Sequence, residues 1–184
     1  MESEGREDVA LGPGSEAEPV VQGLPAATTA ADSLDRLGPL VRDMRIALRS
    51  EFGAYSLYLL LPLIARNDEL RKLLIQLRDE QRELIQEVRA LIEELGGAPA
   101  PRSRWTRAVA AWALFLVTPV CGMRLPLRLC CEAERTVSRW YGEYAMYLVG
   151  QGRNGEAIRC QELEMAKRIH ATRLSAFVSH LGGE

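Results

Sequence analysis

The chain has 184 residues, a formal net charge of −2 and 26% charged side chains. That length suffices for one domain with a real core, and the composition is that of an ordinary soluble globular protein, which excludes fibrous and wholly disordered classes. The small net charge says little about partners, but its distribution says more.

Residues 1–20 carry six acids (Glu2, Glu4, Glu7, Asp8, Glu16, Glu18) and one base, Arg6. With no periodicity and much Glu, Gly, Pro, Ala and Thr, residues 1–31 read as a disordered acidic tail. The acidic start lacks an early apolar core and does not read as a signal peptide. Cys121, Cys130, Cys131 and Cys160 form no C-x-x-C pair, so a reduced cytoplasmic protein with buried thiols is expected.

Asp32 and Ser33 are candidate caps for a first helix, with Gly38-Pro39 breaking or restarting it. The helix is expected over 39–66, kinked at Pro62. Its apolar stripe is Val41, Met44, Leu48, Tyr55 and Tyr58, and Glu51 falls in the gap. A buried lone carboxylate costs roughly several kcal/mol unless something meets it. Tyr55 and Tyr58 share the face and could hydrogen-bond Glu51, although aromatic core is the plainer reading. Tyr141 is similar.

Asn67-Asp68 makes a turn and cap. A second helix is expected over 69–95, closed by Gly96-Gly97. Its stripe is Leu70, Leu73, Leu77, Glu80, Leu84, Val88, Leu91 and Leu95, with Glu83 one turn on from Glu80. After a linker, Ala108–Cys121 is uncharged and largely apolar. It is flanked by Arg102, Arg104 and Arg107 before and by Arg124 and Arg128 after. It is too short to span a bilayer, and reads as a buried short helix or as an interfacial segment on anionic lipid. A third long helix is expected over 125–149 with Glu134 on its stripe. A fourth is expected over 156–180, with Leu163, Lys167, His170 and Leu174 in phase. No zinc spacing, phosphate loop or Ser-His-Asp arrangement is present. The basic stretch lacks the stacking pattern of nucleic-acid binders, so nucleic acid is not an expected partner.

Ionisable groups thus interrupt the apolar stripe of all four helices: Glu51, then Glu80 and Glu83, then Glu134, then Lys167 and His170. In a bundle, inward groups at similar heights meet near the axis. One Glu from each of two helices, with Glu-x-x-His from each of the others, is a two-metal pattern.

On these residues the chain resembles the demethoxyubiquinone hydroxylases, ferritin-like di-iron enzymes of ubiquinone biosynthesis. Glu51-Phe52-Gly53-Ala54, with Tyr58 on the same face, resembles that family's first-ligand motif. Asp79-Glu80-Gln81-Arg82-Glu83 stands where the family has its first Glu-x-x-His. The apolar segment after Trp105, then Gly122, then Glu134 followed by Tyr141, resembles its middle portion. The order of elements agrees from about Asp43 to Phe177.

The resemblance implies an all-α, ferritin-like antiparallel four-helix bundle over 32–184, with an extra short apolar helix between the second and third long helices. It implies metal ligands Glu51, Glu80, Glu83, Glu134 and His170 for iron or manganese. Two positions depart from the family. Glu83 stands where the first motif has its histidine, and Lys167 stands where the second has its glutamate. A lysine ammonium among carboxylates can stand in for a metal's charge.

Three readings follow. The site is metal-free, with Lys167 paired to the carboxylates, and the protein has a binding or structural role. Alternatively, an altered site holds one or two ions, and the protein is an oxygen-dependent oxidoreductase hydroxylating a quinone-like or other apolar substrate. In the third, the charges are scattered surface pairs. The expected partners are an anionic membrane surface, an apolar lipid or quinone, and a second copy of the chain in a homodimer. The expected location is cytoplasmic, peripheral on the inner face of a membrane.

Overall fold

A computed structural model of the chain describes residues 30–99, 115, 118 and 122–180, with side chains from Leu37 onward. Four long helices carry the fold: α1 (Ala30–Leu60), α2 (Asp68–Glu94), α3 (Arg124–Gly150) and α4 (Asn154–His180). The tail before Ala30 and most of the apolar segment 108–121 lie outside the described residues. Among the described residues there is no strand, and no helix is long and apolar enough to cross a membrane.

The first helix departs most from expectation. It is already helical at Ala30, so Asp32 and Ser33 lie inside it, and it runs through Pro39. A mid-helix proline forfeits a hydrogen bond and crowds the preceding turn. Buried Leu37, Leu40 and Val41 around it offset that loss. At the other end α1 stops at Leu60, and Leu61–Leu63 form a 3₁₀ turn containing Pro62. Pro62 therefore ends the helix rather than kinking it. Arg71 reaches back to the freed carbonyls, donating through Nη2 to Ala65 O at 2.7 Å and through Nε to Pro62 O at 3.3 Å.

The caps of α2 follow the sequence. Asn67 Oδ1 accepts from the backbone N–H groups of Glu69 at 2.8 Å and Leu70 at 3.0 Å. Gly96, at φ +79°, turns the chain out of α2, and the Gly97 N–H returns to Ile92 O at 2.9 Å. A Cβ at Gly97 would run into the Val41 side chain, so α1 and α2 close tightly there.

Helix directions follow from cross-helix contacts. Along α1 from Glu51 to Tyr58, the partners on α3 run backward from Tyr141 to Glu134, so α1 and α3 are antiparallel. Glu80 meets Arg173 while Glu87 meets Arg159, so α2 and α4 are antiparallel. Joined by short turns, α1 and α2 pack as one hairpin and α3 and α4 as another. The order is therefore up, down, down, up. Since α2 and α3 run the same way, the end of α2 and the start of α3 lie at opposite ends of the bundle.

The core has two apolar halves. One joins the starts of α1 and α4 to the ends of α2 and α3, through Met44, Leu48, Val88, Leu91, Leu148 and Leu163. The other joins the end of α1, the starts of α2 and α3 and the end of α4, through Leu61, Leu74, Leu77, Leu127 and Leu174. Each fully buried Leu or Val contributes roughly 1.5–3 kcal/mol. Cys130, Cys131 and Cys160 are free and buried within these halves. Between the halves, every helix puts a polar side chain on the axis.

Candidate functional site

That polar layer holds Glu51 from α1, Gln81 from α2, Glu134 from α3, and Lys167 and His170 from α4. All five are at most 2% exposed. Lys167 is the hub. Its ammonium is in ion-pair contact with Glu51 Oε2, lies 2.9 Å from Glu134 Oε2, and donates to Gln81 Oε1 at 2.7 Å. Gln81 closes the ring by donating through Nε2 to Glu51 Oε2. Two tyrosines complete the layer, Tyr141 donating to Glu51 Oε1 at 2.8 Å and Tyr58 to Glu134 Oε1 at 2.7 Å. Glu51 thus receives an ammonium, an amide and a phenol. The desolvation of a buried carboxylate is offset only by such a full set of donors.

On the outer side, His170 links the layer to the surface. Its Nε2 lies 2.8 Å from Glu80 Oε2, and its Nδ1 faces Glu134 Oε2 at 3.8 Å, beyond hydrogen-bond reach. These two buried atoms have no aligned hydrogen-bond partner among the described residues, although Lys167 stands beside Glu134 Oε2 as a charge. Glu80 is 42% exposed at its side chain, and Arg173 Nη1 donates to both its oxygens, at 2.8 and 3.0 Å. A cleft of about 430 Å³ opens here between α2 and α4. Glu80, Glu83, Glu87 and Glu162 rim it, and Leu84, Leu163 and Ile169 lie at its apolar wall.

Electrostatics follow this geometry. Burial alone would raise the Glu134 carboxyl, but the Lys167 charge, then the His170 ring and the Tyr58 hydroxyl, hold it down at about 2. Burial works against the Lys167 ammonium too, yet the Glu51 and Glu134 charges more than reverse it and lift it above the usual lysine range. The Tyr58 and Tyr141 phenols are pushed well up, first by burial and then by the carboxylates they face. They stay donors. Burial raises the Glu80 carboxyl, and Arg173 and His170 bring it below the ordinary range.

The structure brings Glu51, Glu134, Lys167 and His170 together and sets Glu80 at the edge. Glu83 is exposed and outside the layer. The reading of these charges as scattered surface pairs is overturned by the burial of four of them. Tyr58 meets Glu134 rather than Glu51, and Tyr55 packs against the core. Gln81 and Arg173 were missed. Gln81 interrupts an alternative stripe, Leu74, Leu77, Gln81, Ile85, Val88 and Ile92, which is the face that α2 buries. Leu77 and Leu84 made the neighbouring phase through Glu80 equally regular, and a neutral amide drew no attention.

Comparison with protein-family models, curated proteins and solved structures gives no match.

The metal pattern can be tested against the residues themselves. Two ions would need the facing oxygens of Glu51 and Glu134, which both face the Lys167 ammonium. Glu83, the expected source of another ligand, is exposed on the rim of the α2–α4 cleft, outside the buried layer. Among the described residues no three His, Cys, Asp or Glu side chains are grouped to hold a metal ion. The side chains as they stand do not fit a two-metal centre. What the layer does chemically is neutralise and fix buried charge.

Proposed function

We propose that the protein is a divergent ferritin-like module in which a lysine-centred ion-pair network takes over the position and charge of the family's metal centre. Its role on this reading is binding or structural rather than oxygen activation. The observation that carries it is the Lys167 ammonium, seated between Glu51 and Glu134. A cation of the protein's own supplies the charge that ions supply in the di-iron pattern. It is covalently held and has no redox chemistry.

The ferritin-like assignment is supported by the helix order, since two antiparallel hairpins joined by one long crossover are that topology. Lipid association, at the inner face of a membrane in a cytoplasmic setting, is supported at one end of the bundle. There Leu59, Leu63, Leu125 and Leu129 are exposed among Arg66, Arg124 and Arg128. Apolar side chains with cations beside them suit an anionic lipid surface.

Elemental analysis of protein purified without chelators tests the reading. Iron and manganese well below one ion per chain support it. Two ions per chain would sink it and favour the hydroxylase.

A further inference from the structure

The cleft between α2 and α4 carries charge and apolar surface that the buried layer does not use. Of its carboxylates, Glu80 is held by Arg173 and His170, and Glu87 by Arg159. Glu83 on α2 and Glu162 on α4 line the same cleft, and neither is in an ion pair among the described residues. Glu83 lies one turn from both Glu80 and Glu87, and Glu162 one turn from Arg159, so the uncompensated charge comes from both walls. Leu84, Leu163, Ala166 and Ile169 make the apolar surface beside it. Leu163 is buried, Leu84 and Ala166 are half-buried, and Ile169 is 43% exposed. The space of about 430 Å³ is that of a small-molecule site. An apolar wall left open to water beside unpaired carboxylates suits a ligand that covers the one and neutralises the other.

We propose that this cleft binds a small organic amine, its ammonium head between Glu83 and Glu162 and its apolar body on Leu84, Leu163, Ala166 and Ile169. The sign of the head follows from the charges left over. An anion would meet two unpaired carboxylates, and the cleft's guanidinium, Arg173, already donates through Nη1 to both oxygens of Glu80. A bare metal ion would leave the apolar wall uncovered, and no three ligating side chains are grouped to hold one among the described residues. The direction of the ligand follows too. Arg173 lies about 16 Å along α4 from Glu162 and repels a cation. The ammonium therefore sits toward Glu162, and the apolar body runs toward Ile169.

Two-dimensional ¹H–¹⁵N NMR of the full chain, titrated with 4-phenylbutylammonium, tests this. The probes 4-phenylbutanol and 4-phenylbutanoate carry a similar body on a neutral and a negative head. The ammonium should give saturable shifts at the amides of α2 and α4 around the cleft, with an affinity at least tenfold above that of the carboxylate. Glu83→Gln with Glu162→Gln should weaken the ammonium about tenfold and bring it close to the alcohol. Ala166→Trp, which fills the cleft, should remove the shifts. Glu143→Gln, exposed on α3 outside the cleft, should leave the affinity unchanged. No saturable shift at millimolar 4-phenylbutylammonium overturns the proposal, as do equal affinities for the ammonium and the carboxylate. So does binding that survives both the double glutamine change and Ala166→Trp.

Discussion

Lys167 Nζ lies 2.9 Å from Glu134 Oε2, both groups at most 2% exposed, with Glu51 in contact on the ammonium's other side. Two carboxylates on two helices thus depend on one cation from a third. Removing one partner of a buried pair costs roughly 3–5 kcal/mol, because the other charge stays buried without compensation. Lys167→Ala should lower unfolding stability by about that much in urea titration, and the deficit should shrink in acid, where the carboxylates take up protons. A loss below about 1 kcal/mol would mean that water already solvates the layer.

Gln81 bridges the same charges with a neutral amide, accepting from Lys167 at 2.7 Å and donating to Glu51. Gln81→Leu keeps the volume and removes both bonds. It should destabilise by roughly 1–3 kcal/mol, the penalty for buried polar groups left unsatisfied. Glu83→Gln, on the exposed face of the same helix, should change stability by less than about 0.5 kcal/mol. Equal effects at the two positions in thermal melts would mean that α2 turns a different face inward.

The pH dependence has a defined sign on each side. Glu134 is held at about 2, below its ordinary 4.5, so its contribution is present above about 4.5 and is lost as pH falls toward 2. Lys167 is raised above its ordinary 10.5, so its contribution is complete below that value and is lost as pH rises through the higher folded value. Stability should hold through the neutral range and fall at both extremes. Urea midpoints across pH check this, and with Lys167→Ala the acid fall should be shallower.

Tyr58 holds Glu134 at 2.7 Å, and its hydrogen bond helps to keep that carboxyl low. Tyr58→Phe removes one donor without opening a cavity. It should cost about 1–2 kcal/mol and move the acid fall to higher pH. Tyr141→Phe, acting on Glu51, should cost a similar amount. An unchanged acid midpoint in Tyr58→Phe would separate this hydroxyl from the Glu134 charge.

Four buried members of the site were legible because charge is conspicuous on an apolar stripe. Glu51, Glu134, Lys167 and His170 each break a run of leucines and aromatics at helical spacing. Glu80 and Gln81 were confused because two adjacent helical phases through Leu77 fit equally well, one through Leu84 and one through Leu74 and Ile85. Only packing against α1 and α4 decides between them. Pro39 misled in the same way. Its local cost is real, but the burial of its neighbours lies in tertiary contacts that no local signal carries. The partners of Tyr58 and Arg173 depend on helix direction, which follows from which helices pair.

The central claim is that the Lys167 ammonium takes the role of a metal's charge. Melting temperatures of the parent and of Lys167→Ala, each with and without saturating Mn²⁺, test it most directly. The account predicts a parent that does not respond, and a variant that starts lower and regains several degrees when the ion supplies the missing charge. A parent stabilised by Mn²⁺ as strongly as the variant would contradict it.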